Sequence, residues 1–366
     1  MKILLLGEYS NVHATLALGL RELGHTVTVA SNGDFWKGYS RDIDLARRAG
    51  IMGGVSFAFR LAKALTDFRG YDIVQLINPM FLEIKSEKLF YIYKYLRRHN
   101  RHLVLGAFGM DWYWVHTNTY NKPLRYSDFN IGDSVRQNPD AIKERKDWLN
   151  TPKEQLNKYI ANDCDGIVAG LYEYWVCYHP VFPRKTTFIP FPIQMPLTEA
   201  DCQFSKPLKL FIGINKSRDA YKGTDIMLRA AEAIVKNYPG RVTLHKAMSV
   251  PFCTYQKMMD GSDAILDQLY SYTPSMNPLL AMSKGIICIG GGEPENYAII
   301  HEDELHPIVN VTPSYESVYA QLESLVLHPE CIAKLKRDSV RYVRKHHDYL
   351  KVARQYATFY QQLTKL

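Results

Sequence analysis

Alternating apolar and amphipathic blocks run through most of the chain. Residues 3–6 form a short apolar run that predicts a buried strand, residues 12–23 carry leucines at helical spacing, and residues 26–30 are again apolar. A strand, a helix and a second strand in this order predict a βαβ unit with parallel strands. The chain therefore begins with an α/β unit.

The same alternation continues through the first half. Further strands and helices are predicted, in chain order, at residues 73–77, 82–98, 103–108, 153–161 and 166–169. Residues 112–150 are polar, aromatic and rich in Asn and Asp, which predicts a long excursion from the domain. Long loops in compact domains are often functional.

A second α/β region follows a proline-containing linker at residues 192–207. Short apolar runs predict strands at residues 208–214, 242–244, 264–266, 286–289 and 308–311, and a break near residues 346–348 separates a last helix. The pattern predicts domains at residues 1–194 and 195–345, with a final helix at residues 346–366.

Composition narrows the class of partner. A chain of 366 residues suits two domains, and 46% hydrophobic with 22% charged residues is typical of a globular protein. The net charge of +8 favours anionic ligands or an anionic membrane surface, although a solvated basic surface is the simpler interpretation. The sequence has no zinc-finger spacing, RNP-like pattern or basic arm, so no nucleic-acid partner is predicted.

The cysteines and the N-terminus bear on the cellular compartment. The six cysteines lie far apart without metal-ligand spacing, which predicts reduced residues in a cytoplasmic protein. The N-terminal apolar run is too short for a signal peptide, and no run reaches the roughly 18 apolar residues of a membrane span.

The strongest functional signal follows the apolar run at residues 208–214. The next loop carries Lys216, Arg218 and Lys222, and residues 223–225 open an amphipathic helix. Cations between the carboxyl end of a strand and a helix N-terminus predict phosphate binding, because the free N–H groups and the helix dipole also favour an anion. A solvated basic loop is the alternative.

Several short motifs occur in an order that one enzyme family shares. They are Gly-His-Thr-Val-Thr-Val at residues 24–29, Tyr-Asp-Ile-Val at 71–74, Phe-Gly-Met-Asp at 108–111, Asp-Cys-Asp-Gly-Ile-Val at 163–168, Phe-Ile-Pro-Phe-Pro-Ile at 188–193 and Leu-Ala-Met-Ser-Lys-Gly at 280–285. In these motifs the chain resembles the retaining GT-B glycosyltransferases of the family-four type, as found in bacterial surface-polysaccharide assembly. The resemblance covers nearly the whole chain.

The resemblance implies an architecture and substrates. Two Rossmann-like domains would face each other across a cleft, with the final helix crossing back to the N-terminal domain. Residues 1–194 would bind a saccharide or lipid-linked acceptor, and residues 195–345 would bind a nucleotide-sugar donor. No cofactor or metal is expected, since fixed cations stabilise the departing nucleoside diphosphate.

The resemblance also gives roles to individual residues. Lys216 and Lys222 match the spacing of two basic residues in the family and are predicted to be catalytic, with Arg218 as a further donor contact. Asp111 is predicted to be catalytic beside the acceptor hydroxyl. The alternative for Asp111 is a carboxylate that only caps a helix or forms a salt bridge.

The loop after the first strand is expected to face the donor diphosphate and the reacting sugar. Gly7 permits a tight turn from strand to helix, and Ser10, Asn11 and His13 are predicted donor contacts. Alternatively, Ser10 or Asn11 only caps the following helix, and His13 is an ordinary surface histidine.

One donor motif departs from the family pattern. The family has two Glu residues separated by seven positions, and here those positions are Tyr272 and Leu280. A leucine cannot accept a hydrogen bond from a ribose hydroxyl. Glu293 or Glu295, after the glycines at residues 290–292, is predicted to supply the missing carboxylate, although an ordinary turn is equally consistent. Three residues are predicted to place backbone N–H groups near a phosphate: Ser275, Met276 and Asn277.

Two basic and aromatic segments suggest a surface role. Residues 47–63 and 89–102 mix apolar, aromatic and cationic side chains, which predicts peripheral association with the anionic inner face of the plasma membrane. Packing of amphipathic helices onto the sheet is the alternative.

The leading hypothesis is a hexosyltransferase that uses a nucleotide diphosphate sugar. A GT-B-like subunit that has lost catalysis and an epimerase on the same fold are the alternatives. A dehydrogenase is disfavoured, because no Gly-x-Gly-x-x-Gly motif follows a predicted strand.

Overall fold

The computed structural model describes residues 1–214 and 219–365. Short parallel strands alternate with helices through both halves of the chain. The strands are β1 (Lys2–Leu6), β2 (Thr26–Ser31), β3 (Ile43–Asp44), β4 (Ile73–Leu76), β5 (His102–Ala107), β6 (Asn130–Ile131), β7 (Ser134–Val135), β8 (Gly166–Ala169), β9 (Thr186–Phe188), β10 (Leu208–Ile214), β11 (Val242–Met248), β12 (Ala264–Leu266), β13 (Ile287–Gly290) and β14 (Val309–Asn310).

The helices fill the connections between these strands. They are α1 (Val12–Glu22), α2 (Gly50–Asp67), α3 (Ser86–His99), α4 (Trp112–His116), α5 (Pro139–Trp148), α6 (Pro152–Asp163), α7 (Tyr172–Tyr178), α8 (Asp219–Lys222), α9 (Thr224–Asn237), α10 (Phe252–Met259), α11 (Met276–Ser283), α12 (Pro294–Ile299), α13 (Tyr315–Leu327), α14 (Ile332–His346) and α15 (Tyr349–Thr364). A turn of π-helix, Thr117–Asn121, follows α4.

The chain divides into two compact units, each made of separate stretches. The first unit contains residues 1–117, 144–192 and 349–366, and the second contains residues 118–143 and 193–348. Residues 118–143, here named the inserted segment, therefore belong to the second unit although first-unit sequence flanks them on both sides. They include the short antiparallel hairpin of β6 and β7.

The first unit is built on a parallel sheet with strand order β3-β2-β1-β4-β5-β8-β9. β4 and β8 are buried along their whole length, and β1 is buried after its first residue. Helices cover both faces of such a sheet, which explains why its strands appear in the sequence as continuous apolar runs.

Helix α15 belongs to the first unit, where it packs on α1. The Cα of Gly19 lies so close to α15 that an added Cβ would stand 2.6 Å from the Cβ of Ala353. Tyr360 donates a hydrogen bond of 2.7 Å from its hydroxyl to the buried Gln75 of β4. The predicted return of the last helix to the N-terminal domain is confirmed.

The second unit has a parallel sheet of order β11-β10-β12-β13-β14. Its main core lies between this sheet and helices α9 and α13, with Leu210, Met227 and Leu322 among the fully buried side chains. A buried ion pair of 3.1 Å joins Lys336 of α14 to Asp263, immediately before β12. The predicted α/β fold with two parallel sheets is confirmed.

One helix begins later than its apolar pattern predicts. Residues 82–98 were expected to be helical, whereas α3 begins at Ser86. The Ile84 amide donates to the Leu82 carbonyl, and Lys85 has an extended backbone, so residues 82–85 form a turn. Their apolar side chains are accounted for by burial beside a cavity rather than by helix formation.

Candidate functional site

The carboxyl edge of the second unit's sheet gathers polar side chains around Lys222. This lysine ends α8, and its carbonyl accepts a hydrogen bond of 3.0 Å from the Leu269 amide, in the loop after β12. Gly223 follows with a φ of 74°, a conformation that favours glycine, and the chain then enters α9. The predicted helix opening is therefore docked against the end of the neighbouring strand.

Asp267 is the acidic partner of this turn. Burial raises the pKa of its carboxyl, while the charge of Lys222 and a hydrogen bond from Asn277 act in the opposite direction. The side-chain amide of Asn277 also donates a hydrogen bond of 2.9 Å to the hydroxyl of Tyr255. A cation, a carboxyl and an amide thus meet where a parallel α/β sheet binds ligands.

Five further residues of this region are predicted to contact the donor. Lys216 and Arg218 lie outside the described residues. Ser275 is the N-cap residue of α11, and Met276 and Asn277 form its first turn, so their backbone N–H groups stand at the carboxyl edge of the sheet. Their contact with a phosphate stays a prediction.

Glu293 is held by several partners. It follows β13, and its carboxylate accepts hydrogen bonds from Arg125 at 2.7 Å, from Asn310 at 3.1 Å and from the hydroxyl of Tyr126. Arg125 also pairs with Glu295. Arg125 and Tyr126 come from the inserted segment, and no local sequence pattern indicates a pairing across such a distance along the chain.

Tyr272 and Leu280 occupy the two positions at which the family has Glu. Tyr272 is almost fully buried, and its hydroxyl accepts a hydrogen bond of 2.7 Å from the Arg125 amide. Leu280 lies half-buried in α11. Neither supplies a carboxylate, whereas Glu293 and Glu295 bring two carboxylates close to Tyr272.

The glycines before Glu293 serve packing. An added Cβ on Gly291 would stand 2.2 Å from the carbonyl oxygen of Ser271, and one on Gly292 would stand 2.7 Å from the Cγ2 of Ile308. The space beside these glycines is therefore filled by the protein's own loops.

The first unit contains a cavity of about 770 Å³ at the carboxyl edge of its sheet. Residues that follow β1, β2, β4 and β5 line it, including Glu8, Asn32, Met80 and Met110. Trp148 of α5 and residues 82–85 complete the wall. Its place at the ends of parallel strands is the usual position of a ligand site in an α/β domain.

Glu8, in the loop between β1 and α1, caps the first turn of α1. Its carboxyl accepts hydrogen bonds from the amides of His13 at 3.3 Å and Ala14 at 2.8 Å. Burial raises the pKa of Glu8 to about 8 despite these donors, so the protonated form predominates at neutral pH. No local sequence pattern indicates this role of Glu8, because it caps the helix across a loop rather than from the N-cap position.

The predicted donor contacts of the first loop have defined places. Gly7 has a φ of 88° and packs against Ile77 of the neighbouring strand end. Ser10 and Asn11 both have left-handed backbones, and Asn11 is the N-cap residue without a side-chain cap bond. The Ser10 amide donates to Asp34 at 2.8 Å.

His13 is buried rather than at the surface. Its Nδ1 lies 2.8 Å from the carbonyl oxygen of Gly7, and its Nε2 lies 3.1 Å from the amide nitrogen of Gln75. Burial lowers the pKa of His13 to about 3, so the ring is neutral at physiological pH. A donor contact for Ser10, Asn11 or His13 stays a prediction.

Asp111 is the N-cap residue of α4. Its fully buried carboxyl accepts hydrogen bonds from the Trp114 amide at 2.8 Å and from the hydroxyl of Tyr178 at 2.7 Å. Burial raises the pKa of Asp111 to about 7, and the two donors oppose this shift. The capping role is present in the structure, and the role beside an acceptor stays a prediction.

Helix α2 presents an apolar stripe to solvent. Ile51 is 87% exposed and Phe59 74% exposed, with Met52 and Val55 on the same side, while Phe57 and Leu61 face the core. The second basic segment differs, because Leu89, Ile92 and Leu96 of α3 are buried and Arg97 pairs with Asp163 and Asp165, although Tyr91 is 73% exposed.

Two absences apply to residues 1–214 and 219–365. No helix among them is both long and apolar enough to cross a bilayer. No group of three or more His, Cys, Asp or Glu side chains among them is arranged to hold a metal ion.

Comparison with known proteins gives matches among solved structures. No protein-family model and no curated protein matches the chain. The chain is similar to the sucrose-phosphate synthase of Thermosynechococcus elongatus, with a TM-score of 0.63, 11% identity and 99% of each chain covered. It is also similar to Anabaena HepE in complex with UDP and glucose, with a TM-score of 0.58, 11% identity, and coverage of 100% of this chain and 99% of HepE.

A third match is longer than this chain. A point mutant of Staphylococcus aureus TarM, in complex with fondaparinux, α-GlcNAc-glycerol and UDP, gives a TM-score of 0.55 at 10% identity. The match covers 82% of this chain and 59% of TarM. These structures are GT-B glycosyltransferases. The chain has the GT-B fold. At such low identity the similarity establishes the fold, while chemistry depends on the site.

Proposed function

We propose that the protein is a hexosyltransferase of the retaining, family-four-like type, which acts in the cytoplasm in surface-polysaccharide assembly. It would move a sugar from a nucleotide diphosphate donor to a saccharide or lipid-linked acceptor. No metal or other cofactor is needed in this proposal, because protein cations would stabilise the leaving diphosphate.

The observation that carries the proposal is the position of Lys222. It stands at the carboxyl edge of the second sheet, beside Asp267 and close to the start of α11. A diphosphate bound there would meet the Lys222 ammonium and the amides of the first turn of α11, both of which favour an anion. Solved structures of this fold include a complex with UDP and glucose, in HepE.

The acceptor would occupy the cavity of the first unit. Its wall combines apolar side chains such as Met80 and Trp148 with polar side chains such as Asn32 and Glu83. The side-chain amide of Asn32 donates a hydrogen bond of 2.6 Å to the carboxylate of Glu83. Sugars bind to such mixed walls, since their rings pack on apolar surface while their hydroxyls need polar partners. Asp111 would act indirectly, by fixing α4 near the cavity residue Met110.

Replacing Lys222 tests the proposal. We expect Lys222→Ala to weaken binding of a nucleoside diphosphate, and to slow transfer, by about tenfold to a hundredfold, the cost of losing a charged hydrogen bond. The matched control is Lys284→Ala. Lys284 follows the last residue of α11 and pairs with Asp260. Wild-type affinity and rate in Lys222→Ala would contradict the assignment.

A catalytically inactive GT-B-like subunit is a second candidate, favoured by the absence of carboxylates at Tyr272 and Leu280. Thermal shift with uridine, guanosine and cytidine diphosphates identifies the nucleotide that binds, and hydrolysis of the matching nucleotide sugar then separates the two candidates. A shift followed by hydrolysis of the matching nucleotide sugar supports the transferase. A shift without hydrolysis or transfer supports the inactive subunit.

Peripheral membrane association forms the last part of the proposal. The stripe of Ile51, Met52, Val55 and Phe59 would enter the interface of an anionic bilayer, with Arg47 and Arg48 near the headgroups. We expect Ile51→Ser with Phe59→Ser to abolish sedimentation with phosphatidylglycerol vesicles. Unchanged sedimentation would exclude this surface. Leu197→Ser, in an exposed linker residue of the second unit, is the control.

A further inference from the structure

The inserted segment packs along the carboxyl edge of the second unit's sheet. Arg136 donates from its guanidinium to the carbonyl oxygens of Ala220 at 2.8 Å and Tyr221 at 3.2 Å, and it lies 3.4 Å from the ring centre of Tyr270. The segment is thus attached to the same turn that carries Lys222.

The segment delivers one arginine to the end of β13. Arg125 places Nη2 at 2.7 Å from Oε2 of Glu293, and Nη1 at 2.5 Å from Oε1 of Glu295. A further bond of 3.0 Å joins Nη2 to the other oxygen of Glu295, so that pair is bidentate. These three residues are named the Arg125 cluster.

The members of the Arg125 cluster differ in exposure. The side chain of Glu293 is 7% exposed, whereas those of Glu295 and Arg125 are 26% and 55% exposed. Buried Glu293 is an anchor, with Tyr126 and Asn310 as its other partners. The outer pair is geometrically fixed but accessible, and exposed ion pairs contribute little to folding. Its fixed orientation suits recognition of a ligand.

We propose that Arg125 and Glu295 bind the sugar ring of the donor, in place of the carboxylate that the chain lacks at Tyr272. This inference rests on the proposed function. Sugar hydroxyls donate to the carboxylate and accept from the guanidinium. The Arg125 guanidinium holds the pKa of Glu295 below its usual range, so the acceptor stays ionised at neutral pH.

The charge of the Arg125 cluster selects a class of sugar. The cluster contains two carboxylates and one guanidinium. The excess of negative charge repels a carboxylated sugar such as a uronic acid, because like charges near each other are destabilising. The Arg125 cluster therefore favours an uncharged donor sugar over a uronic acid.

The test separates binding of the nucleotide from binding of its sugar. Calorimetric titration of the wild-type protein with UDP, UDP-glucose and UDP-glucuronic acid gives three dissociation constants. We expect Arg125→Met to leave the constant for UDP unchanged and to raise that for UDP-glucose about tenfold, the cost of one charged hydrogen bond. If UDP does not bind, GDP and GDP-mannose are used in the same way.

Glu295→Gln provides a variant of unchanged size if Arg125→Met does not fold. We expect it to raise the affinity for UDP-glucuronic acid relative to UDP-glucose about tenfold, since it removes the repelling charge. Glu330→Gln is the control, because Glu330 follows the C-terminal end of α13. This end of α13 lies beside the amino end of β11, since Arg241, the residue before β11, donates to the carbonyl of Val326. It is therefore at the opposite edge of the sheet from the Arg125 cluster.

The outcomes distinguish failure of the inference from failure of the proposed function. Equal changes in the constants for nucleotide and nucleotide sugar in both variants would overturn the inference while leaving nucleotide binding in place. A preference of the wild-type protein for UDP-glucuronic acid would also overturn it. If the wild-type protein binds none of the uridine, guanosine and cytidine diphosphates, the proposed function fails, and the inference fails with it.

Discussion

The hydroxyl of Tyr178 donates a hydrogen bond of 2.7 Å to Oδ2 of Asp111 in the interior of the first unit. The same carboxyl caps α4 through the Trp114 amide. The bonds orient the carboxyl, but they do not offset the loss of hydration, since the pKa of Asp111 is raised to about 7.

This raised pKa makes stability depend on pH. Folded Asp111 holds its proton up to a higher pH than the unfolded chain does, so its stabilising contribution is complete below about pH 4 and is lost as the pH rises to about 7. We expect the unfolding free energy of the wild-type protein to fall, relative to that of Asp111→Asn, between about pH 5 and pH 7 in urea titrations. A constant difference would contradict this, and Asp303→Asn at an exposed position is the control.

Gly7 and Gly24 allow steric clash to be separated from backbone strain. Both have left-handed backbones, with φ of 88° and 82°. An added Cβ would stand 2.3 Å from Cγ2 of Ile77 at Gly7, but would meet nothing within 4 Å at Gly24. We expect Gly24→Ala to cost about 1 kcal/mol, and Gly7→Ala about 1–3 kcal/mol more, in chemical denaturation. Equal costs would show that Ile77 moves aside freely.

Arg136 should stabilise the inserted segment. Replacing it with Met removes four hydrogen bonds to carbonyl groups, those of Ser127, Asp128, Ala220 and Tyr221, and the cation–π contact with Tyr270. We expect a loss of about 2 kcal/mol in unfolding free energy and faster tryptic cleavage within residues 118–143. The exposed Arg337→Met is the control. Unchanged cleavage would contradict this anchoring role of Arg136.

Glu302 is expected to stabilise the protein at neutral rather than acidic pH, the reverse of the dependence expected for Asp111. Its carboxylate lies 2.8 Å from Nζ of Lys345 and 2.5 Å from Nε2 of His346. Hydrogen bonds from these partners hold the pKa of Glu302 well below its usual range, although burial alone would raise it. We therefore expect the stability advantage over Glu302→Gln to be complete at neutral pH and to decline as the pH falls below about 4.5. Thermal denaturation between about pH 3 and pH 7 measures it, and a gap that widens on acidification would refute this.

Buried parallel strands are the elements that the sequence predicts best. The bounds of β8, β10 and β12 agree with their apolar runs, and the predicted break at residues 346–348 lies between α14 and α15. Such strands are covered on both faces, so their apolar runs have sharp ends. The start of α3 was wrong by four residues, because an apolar turn that lines a cavity has the same composition as a helix face.

The candidate site was predicted less completely. Lys222 was expected from its local pattern of strand, loop and helix, and the structure places it at the carboxyl edge. Arg125 was not singled out, because its partners Glu293 and Glu295 are far away in the chain. Asp267 was also missed, since a single acidic residue after a strand carries no distinctive spacing.

Each unit is completed only late in translation. The sheet of the first unit is formed by residues before 193, yet α15, which covers α1 and holds Gln75, follows residues 193–348 of the second unit in the chain. The inserted segment likewise emerges before the Glu293 and Tyr270 that hold it. A nascent chain halted at residue 192 would expose the surface of α1 that packs on Ala353 and carry a segment without its binding surface. Such a fragment would be a substrate for chaperones rather than an independent domain.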